Sequence, residues 1–346
     1  MTHHFIKTKW LYAALVVLLG NMWLYHTSAG QRIIPHDDAV GVVLGSLIDL
    51  ALIVPLLVTL HVKKKSFKLF ALLVISGLVL ARFVIPAQLL APFRGITTAA
   101  LVAEGVLILI ELSIITYALY YAPAIYRKLK ERVVPLPFAL IEATNTYMKE
   151  NVLLHALQQE VLIVYYAVFG WRKQAPSGYT LYKQSMYVPV MIMILHAVVL
   201  EAVAFHWLLH DWMPIVAYML LALHIYSVIF VLADMQAMRL NPTVYRNNTW
   251  YVSFGLLKRT ELHRDNMKAI HGNMTVEKSD IVYFQAPTFG EEAPHFIVEL
   301  HEPQPVQFMM GMKKTVRYIG IQADDASLQE AMQQTIQRGN TECQKN

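Results

Sequence analysis

The sequence predicts an all-α polytopic membrane bundle of six transmembrane helices, followed by a small cytoplasmic β domain that ends in a helix. Three observations carry this expectation. The 346-residue chain is 56% hydrophobic and only 15% charged, with a mean hydropathy of +0.42, where an ordinary soluble domain is about 25% charged. Up to Gln236 the apolar residues gather into blocks of roughly 20 with few charges, each long enough to cross about 30 Å of hydrocarbon. From Leu240 onward polarity is ordinary, and short strand-like runs replace the blocks.

The first block, Trp10 to Tyr25, follows Lys7 and Lys9 and precedes Thr27, Ser28 and Ala29, a small-residue run of the kind a signal peptidase cuts. Its length and the Trp and Tyr near its ends favour an uncleaved span over residues 10–26. Further spans are expected near 40–62, 69–90, 97–121, 187–209 and 213–236. Between the fourth and fifth, Pro135 and Pro137 open a helical hairpin, 134–171, expected at the cytoplasmic surface and partly in the interface. Its second half, Val152 to Trp171, competes as a further span, but His155, Gln158, Gln159 and Glu160 interrupt its first turns.

Charge counting decides between the two. With that block on the cytoplasmic side, the clusters Lys63–Lys68 and Arg127–Arg132 share a side with Lys7, Lys9, Arg172, Lys173, Lys183, Arg239 and Arg246, leaving Arg32 and Arg94 opposite. This is the positive-inside pattern, and it largely disappears if the block spans. Both termini are therefore expected in the cytoplasm of a multi-pass cell-membrane protein. The same clusters are expected to touch anionic headgroups. The net charge of +5 and pI near 9.0 thus reflect topology, and no nucleic-acid partner is expected. Cys343 is the single cysteine, which excludes an intrachain disulfide and a thiolate metal cage.

In the tail, Trp250 to Phe254, Ile281 to Phe284, Phe296 to Leu300, Val306 to Met310 and Val316 to Ile321 read as strands separated by turn residues. Asp325 and Ser327 then open a helix, with Glu330 completing a capping box at Ser327. Several strands closed by one helix predict a small barrel or sandwich of the pleckstrin-homology (PH) type over 240–338, with a flexible tail over 339–346.

The run from Glu201 and His206, through Ala233-Asp234-Met235-Gln236-Ala237-Met238-Arg239-Leu240-Asn241-Pro242 and Ser253-Phe254-Gly255-Leu256, resembles an uncharacterised group of bacterial polytopic membrane proteins with a PH-like tail. Phe296 to Leu300, Gly311 and Asp324-Asp325 continue the resemblance, and Glu160 with Tyr165, Tyr166 and Trp171 is similar to the group's interfacial helix. Roughly the C-terminal half is covered. The resemblance implies architecture and carries no activity.

Ionisable residues interrupt the apolar blocks. Asp49, Arg82, Glu104 and Glu201 each fall about seven to nine residues from the outer ends of their spans, roughly 10–14 Å deep, so a polar layer is expected. Glu111 lies on the face of Glu104 and extends it inward. An isolated guanidinium in hydrocarbon costs about 2.5 kcal/mol or more, so Arg82 needs a carboxylate partner. The plainest use is one ion pair, with the other acids facing a wet cavity; three carboxylates around one cation would also suit a bound cation or a proton relay.

His206 and His210 share a helix face, His196 falls near it and Glu201 points nearly opposite, so a divalent metal on these residues and His224 needs ligands from other helices. His36, Asp37, Asp38 and Asp211 form an outer-face polar cluster that is either a solvated span mouth or a further ligand source. No G-x-S-x-G, H-E-x-x-H, Walker A or GxGxxG arrangement stands at a strand–helix junction. The sequence therefore points first to a non-enzymatic membrane protein of envelope-related role, binding a cation, a lipid or, through its β domain, a protein. The alternatives are a membrane-embedded metal-dependent oxygenase or hydrolase built on His and Glu, and a small ion or proton-coupled transporter.

Overall fold

A computed structural model describes every residue except 1, 35–38, 63–66, 151, 273, 275, 278, 287–293 and 344–346. His36, Asp37 and Asp38 therefore lie outside the described residues, as do Lys63, Lys64 and Lys65. Two compact units emerge, one of residues 1–118 with 207–217 and one of 119–206 with 218–346.

The N-terminal half is helical: α1 (Thr2–His26), α2 (Ser28–Gln31), α3 (Ala39–Ile48), α4 (Val54–Val62), α5 (Phe67–Val84), α6 (Arg94–Lys130), α7 (Leu136–Asn145), α8 (Val152–Phe169), α9 (Tyr187–Leu209) and α10 (Pro214–Leu240). Among the described residues, five stretches are long and apolar enough to cross a membrane: Ala39–Val62, Leu101–Lys130, Val152–Arg172, Tyr187–Leu209 and Pro214–Leu240. The apolar part of α5 is the shorter Leu69–Val84. Hydropathy alone thus admits α8 as a span, beside five of the six expected ones, four at full length in α3–α4, α6, α9 and α10 and a shorter one in α5.

In the first unit, Tyr25, Val43, Leu47, Leu50, Ala81 and Val84 bring α1, α3 and α5 around one buried core. A π-helical turn, Asp49–Ile53, joins α3 to α4. Gly77 of α5 lies so close to the Leu50 carbonyl that a Cβ would overlap it. Only glycine permits this approach, because the wider π turn pushes its backbone outward against the neighbouring helix.

In the second unit the sheet runs β1 (Val244–Arg246), β2 (Thr249–Phe254), β3 (Lys258–His263), β6 (Phe296–Phe308), β7 (Lys313–Ile321), β5 (Ile281–Phe284), with β4 (Met267–His271) also on β6. All pairings are antiparallel except β5 with β7. Asn247 and Asn248 both take positive φ, 49° and 60°, as the tight β1–β2 hairpin requires. The inward residues Val252, Phe254, Leu262, Phe284, Val298, Leu300, Val316 and Ile319 are almost wholly buried. Leu328 and Met332 of α11 (Ser327–Cys343) join the same core, so the terminal helix closes the domain. The runs expected as separate strands at Phe296 and Val306 form one strand, β6. Its register shifts between Glu299 and Gln304, where Pro303 and Pro305 lack ladder donors, and this lets one half pair β4 and the other β3.

Candidate functional site

The expected intramembrane charges divide between the units. In the first, Asp49 opens the π turn half-buried and accepts a hydrogen bond from Asn21 Nδ2 at 3.2 Å, while Tyr25 Oη donates to Ser46 Oγ at 2.9 Å. Asn21 escaped the sequence reading because one amide in an apolar block carries no charge signal. Arg82 is exposed in the last turn of α5, Glu104 is half-buried and Glu111 exposed on α6, and His210 and Asp211 are exposed in the turn after α9. In the second unit, Glu201 Oε2 stands 3.9 Å from His224 Nε2. His224 Nδ1 bonds Leu220 O at 2.6 Å, and His196 Nδ1 bonds Ile192 O at 2.9 Å. His206 packs edge-on against Tyr218. These contacts hold each ring on its own helix or against one neighbour. Among the described residues no three of His, Cys, Asp and Glu gather to hold a metal.

The denser chemistry of the second unit lies at the ends of α9 and α10. Asp234, 1% exposed, accepts Tyr187 Oη at 2.5 Å and the Leu256 N–H at 2.6 Å. One carboxyl group therefore ties the start of α9 and the last turns of α10 to the β2–β3 turn. Gly255 has φ +55° there, and any Cβ would overlap Asp234. Arg239 reinforces the junction by donating to the carbonyls of Gly170 at 2.6 Å and Lys173 at 3.0 Å.

The α7–α8 hairpin packs on the same body through an apolar core of Leu140, Leu162, Ile163, Ala233, Ala237 and Leu256, with polar contacts beside it. Gln158 Nε2 donates to Thr144 Oγ1, His155 Nδ1 contacts Gln158 Oε1 at 3.2 Å, and His155 lies against Gly311. Tyr166 Oη donates to Asn241 Oδ1 at 2.9 Å. Lys313, hydrogen-bonded to Glu150 at 3.0 Å, holds that carboxylate below its usual range. Both partners are about half exposed, so the pair contributes at most about 1 kcal/mol. Three of the four residues that interrupt the apolar block of α8 are covered by the protein: His155, Gln158 and Gln159 are 8%, 3% and 2% exposed, while Glu160 is half-buried.

A cleft of about 870 Å³ opens where the segment before α9 meets β1, β2 and α11. Tyr179 and Thr243 exchange backbone hydrogen bonds at 2.9 and 2.8 Å, and Asp324 accepts the N–H groups of Tyr182, Lys183 and Gln184 at 2.9–3.3 Å. Two anchors thus fix the cleft's wall. Lys183, Arg246, Arg264 and Arg338 line it, against the single carboxylate of Asp325, which Ser327 holds below its usual range. Trp250 and Thr243 also line it, 2% and 1% exposed; their Nε1 and Oγ1 have no hydrogen-bond partner among the described residues. Sequence reasoning counted Lys183 and Arg246 only as topology signals and passed over Trp250 as a strand residue.

The chain matches no family model, no curated protein and no solved structure.

Proposed function

We propose that the chain is a multi-pass protein of the cell membrane, with α1, the α3–α4 segment, α5, α6, α9 and α10 as its six spans and both termini in the cytoplasm. It acts as a membrane-anchored binding module rather than an enzyme, in an envelope-related role. The observation that carries this is the Asp234 junction, which makes the β domain one body with the ends of α9 and α10. Such a joint suits a protein that fixes a binding domain at the membrane surface. None of the apolar window of Leu101–Lys130 is buried in protein, and only 11% of those in Tyr187–Leu209 and Pro214–Leu240. Uncovered apolar area of this extent needs lipid or other helices. The window in Val152–Arg172 is 39% buried, with His155 against Gly311 of the β domain and Gln158 on Thr144 of α7, which favours a surface position for α8. The PH-like reading of the β domain draws on a sheet of mostly antiparallel strands closed by α11.

The metal-enzyme reading draws on the Glu201–His224 contact and needs further ligands; bound iron or zinc in purified protein would favour it. Topology is tested by placing a cysteine at Lys173 in a Cys343→Ser background. Protection from an impermeant thiol reagent outside intact cells is expected. Labelling there would place α8 across the membrane and defeat the six-span arrangement.

A further inference from the structure

We infer that the cleft between the segment before α9, the β1–β2 hairpin and α11 binds a multiply anionic, phosphorylated ligand of headgroup size. Its volume, about 870 Å³, lies near the upper end of the roughly 300–1,000 Å³ of small-molecule sites. It therefore exceeds what a lone phosphate would fill. Four cationic side chains, Lys183, Arg246, Arg264 and Arg338, converge from three separate segments of the chain and the terminal helix, while Asp325 is the single acid on the lining. Asp265 meets Arg264 from outside at 3.2 Å and offsets part of that charge. With both acids counted about two positive charges remain, which match the roughly −1.5 to −2 of one phosphate monoester.

The second, independent sign is the pair of unsatisfied donors. A buried indole N–H or hydroxyl without a partner is destabilising. Trp250 and Thr243, both on the lining, each carry such a group, closed to solvent while the cleft is empty. A tetrahedral, acceptor-only oxyanion can take hydrogen bonds from guanidinium forks, an ammonium, an indole and a hydroxyl together. A cation or an apolar ligand would leave those donors unanswered. The wall is also prebuilt, since Asp324 and the Tyr179–Thr243 pairing hold Lys183 and Thr243 in place without the ligand. Lys183 stands just before α9, so a lipid headgroup could enter if α9 spans as proposed. A free phosphorylated compound would use the same donors. The assignment deepens the reading of a membrane-anchored binding module and rests on it only for the lipid source.

The test uses the full chain purified in neutral detergent and titrated calorimetrically with pyrophosphate. The same protein is then placed in nanodiscs of phosphatidylcholine, alone or mixed with the bis-phosphate lipid cardiolipin. Saturable pyrophosphate binding is expected, weakened roughly tenfold or more in the surface double variant Lys183→Ala/Arg338→Gln. Arg246→Gln, a single change at the exposed end of β1, should weaken binding in the same direction; it gives the reading if the double variant unfolds. Loss of pyrophosphate binding in cardiolipin nanodiscs but not in phosphatidylcholine would identify a lipid as the source, and retention in both a free compound. Absence of saturable binding to either probe, or undiminished binding in all folded variants, would overturn the site. That outcome leaves the topology standing, which cysteine labelling decides separately.

Discussion

Cutting the Asp234 junction should cost more than any surface change in the second unit. Asp234→Ala removes the acceptor for two buried donors, Tyr187 Oη and the Leu256 N–H. Each orphaned group costs about 1–3 kcal/mol, so a loss of about 3–5 kcal/mol is expected. Tyr187→Phe leaves the Leu256 bond intact and unpairs one carboxyl oxygen, for about 1.5–3 kcal/mol. Because the two side chains share one bond, their double variant should lose less than the sum, with a coupling of about 1.5 kcal/mol or more. Equilibrium unfolding in mixed micelles, followed by tertiary-structure signals of the full-length protein, measures all three. Additive losses within about 0.5 kcal/mol would show that the short contact contributes nothing of its own, and the argument from burial would fall.

Gly255→Ala should destabilise by about 2 kcal/mol or more, since an αL backbone costs a Cβ-bearing residue about 1–2 kcal/mol and this Cβ also overlaps Asp234; a neutral effect on the unfolding midpoint would refute the turn geometry. In the first unit, Gly77→Ala should destabilise because its Cβ meets the Leu50 carbonyl, while Gly45→Ala, which meets nothing within 4 Å, should be neutral or stabilising; equal effects would count against the close helix approach. Burial pushes the Lys258 ammonium from 10.5 down to about 8, although it donates to Tyr283 O beside the rings of Phe254 and Phe284. A depressed lysine burdens the fold below its folded pKa and is relieved as pH rises. Stability relative to Lys258→Met should therefore climb by up to about 3 kcal/mol between pH 8 and 10.5, and a flat difference would reject the burial. Lys268 and His271, at 2.7 and 2.9 Å, hold Glu299 below its ordinary 4.5. Its contribution should be present above pH 4.5 and fade as pH falls through the lowered value, so the advantage over Glu299→Gln should shrink in acid urea titrations.

The helices were legible because hydropathy is a local property, and the terminal helix because Asp325 and Ser327 announce its start, although Asp325 takes the Ser327 N–H and hydroxyl in place of the box expected between Ser327 and Glu330. The strands were legible only where the pattern was apolar. Lys258–His263 hides as a polar run because Glu261 and His263 face outward, Lys258 turns along aromatic faces and Arg259 donates to Gln307 of the neighbouring strand. The pairings that organise the second unit could not be read this way. Asp234 finds its amide donor 22 residues onward, and Asp324 finds Gln184 140 residues back. Both acids lie in runs that the family resemblance picked out, yet their roles depend on donors that carry no charge signal of their own.

The cleft shows the same limit more sharply. Lys183 and Arg246 entered the sequence reading as two cations on one side of a membrane, where only their number matters and their positions are interchangeable. The fold brings them together with Arg264 and Arg338 around two buried donors, and position then becomes the information. A charge that merely orients a span needs no particular neighbour. Four that converge on a wall fixed by Asp324 repel one another, and a multiply charged anion is the partner that would offset that repulsion.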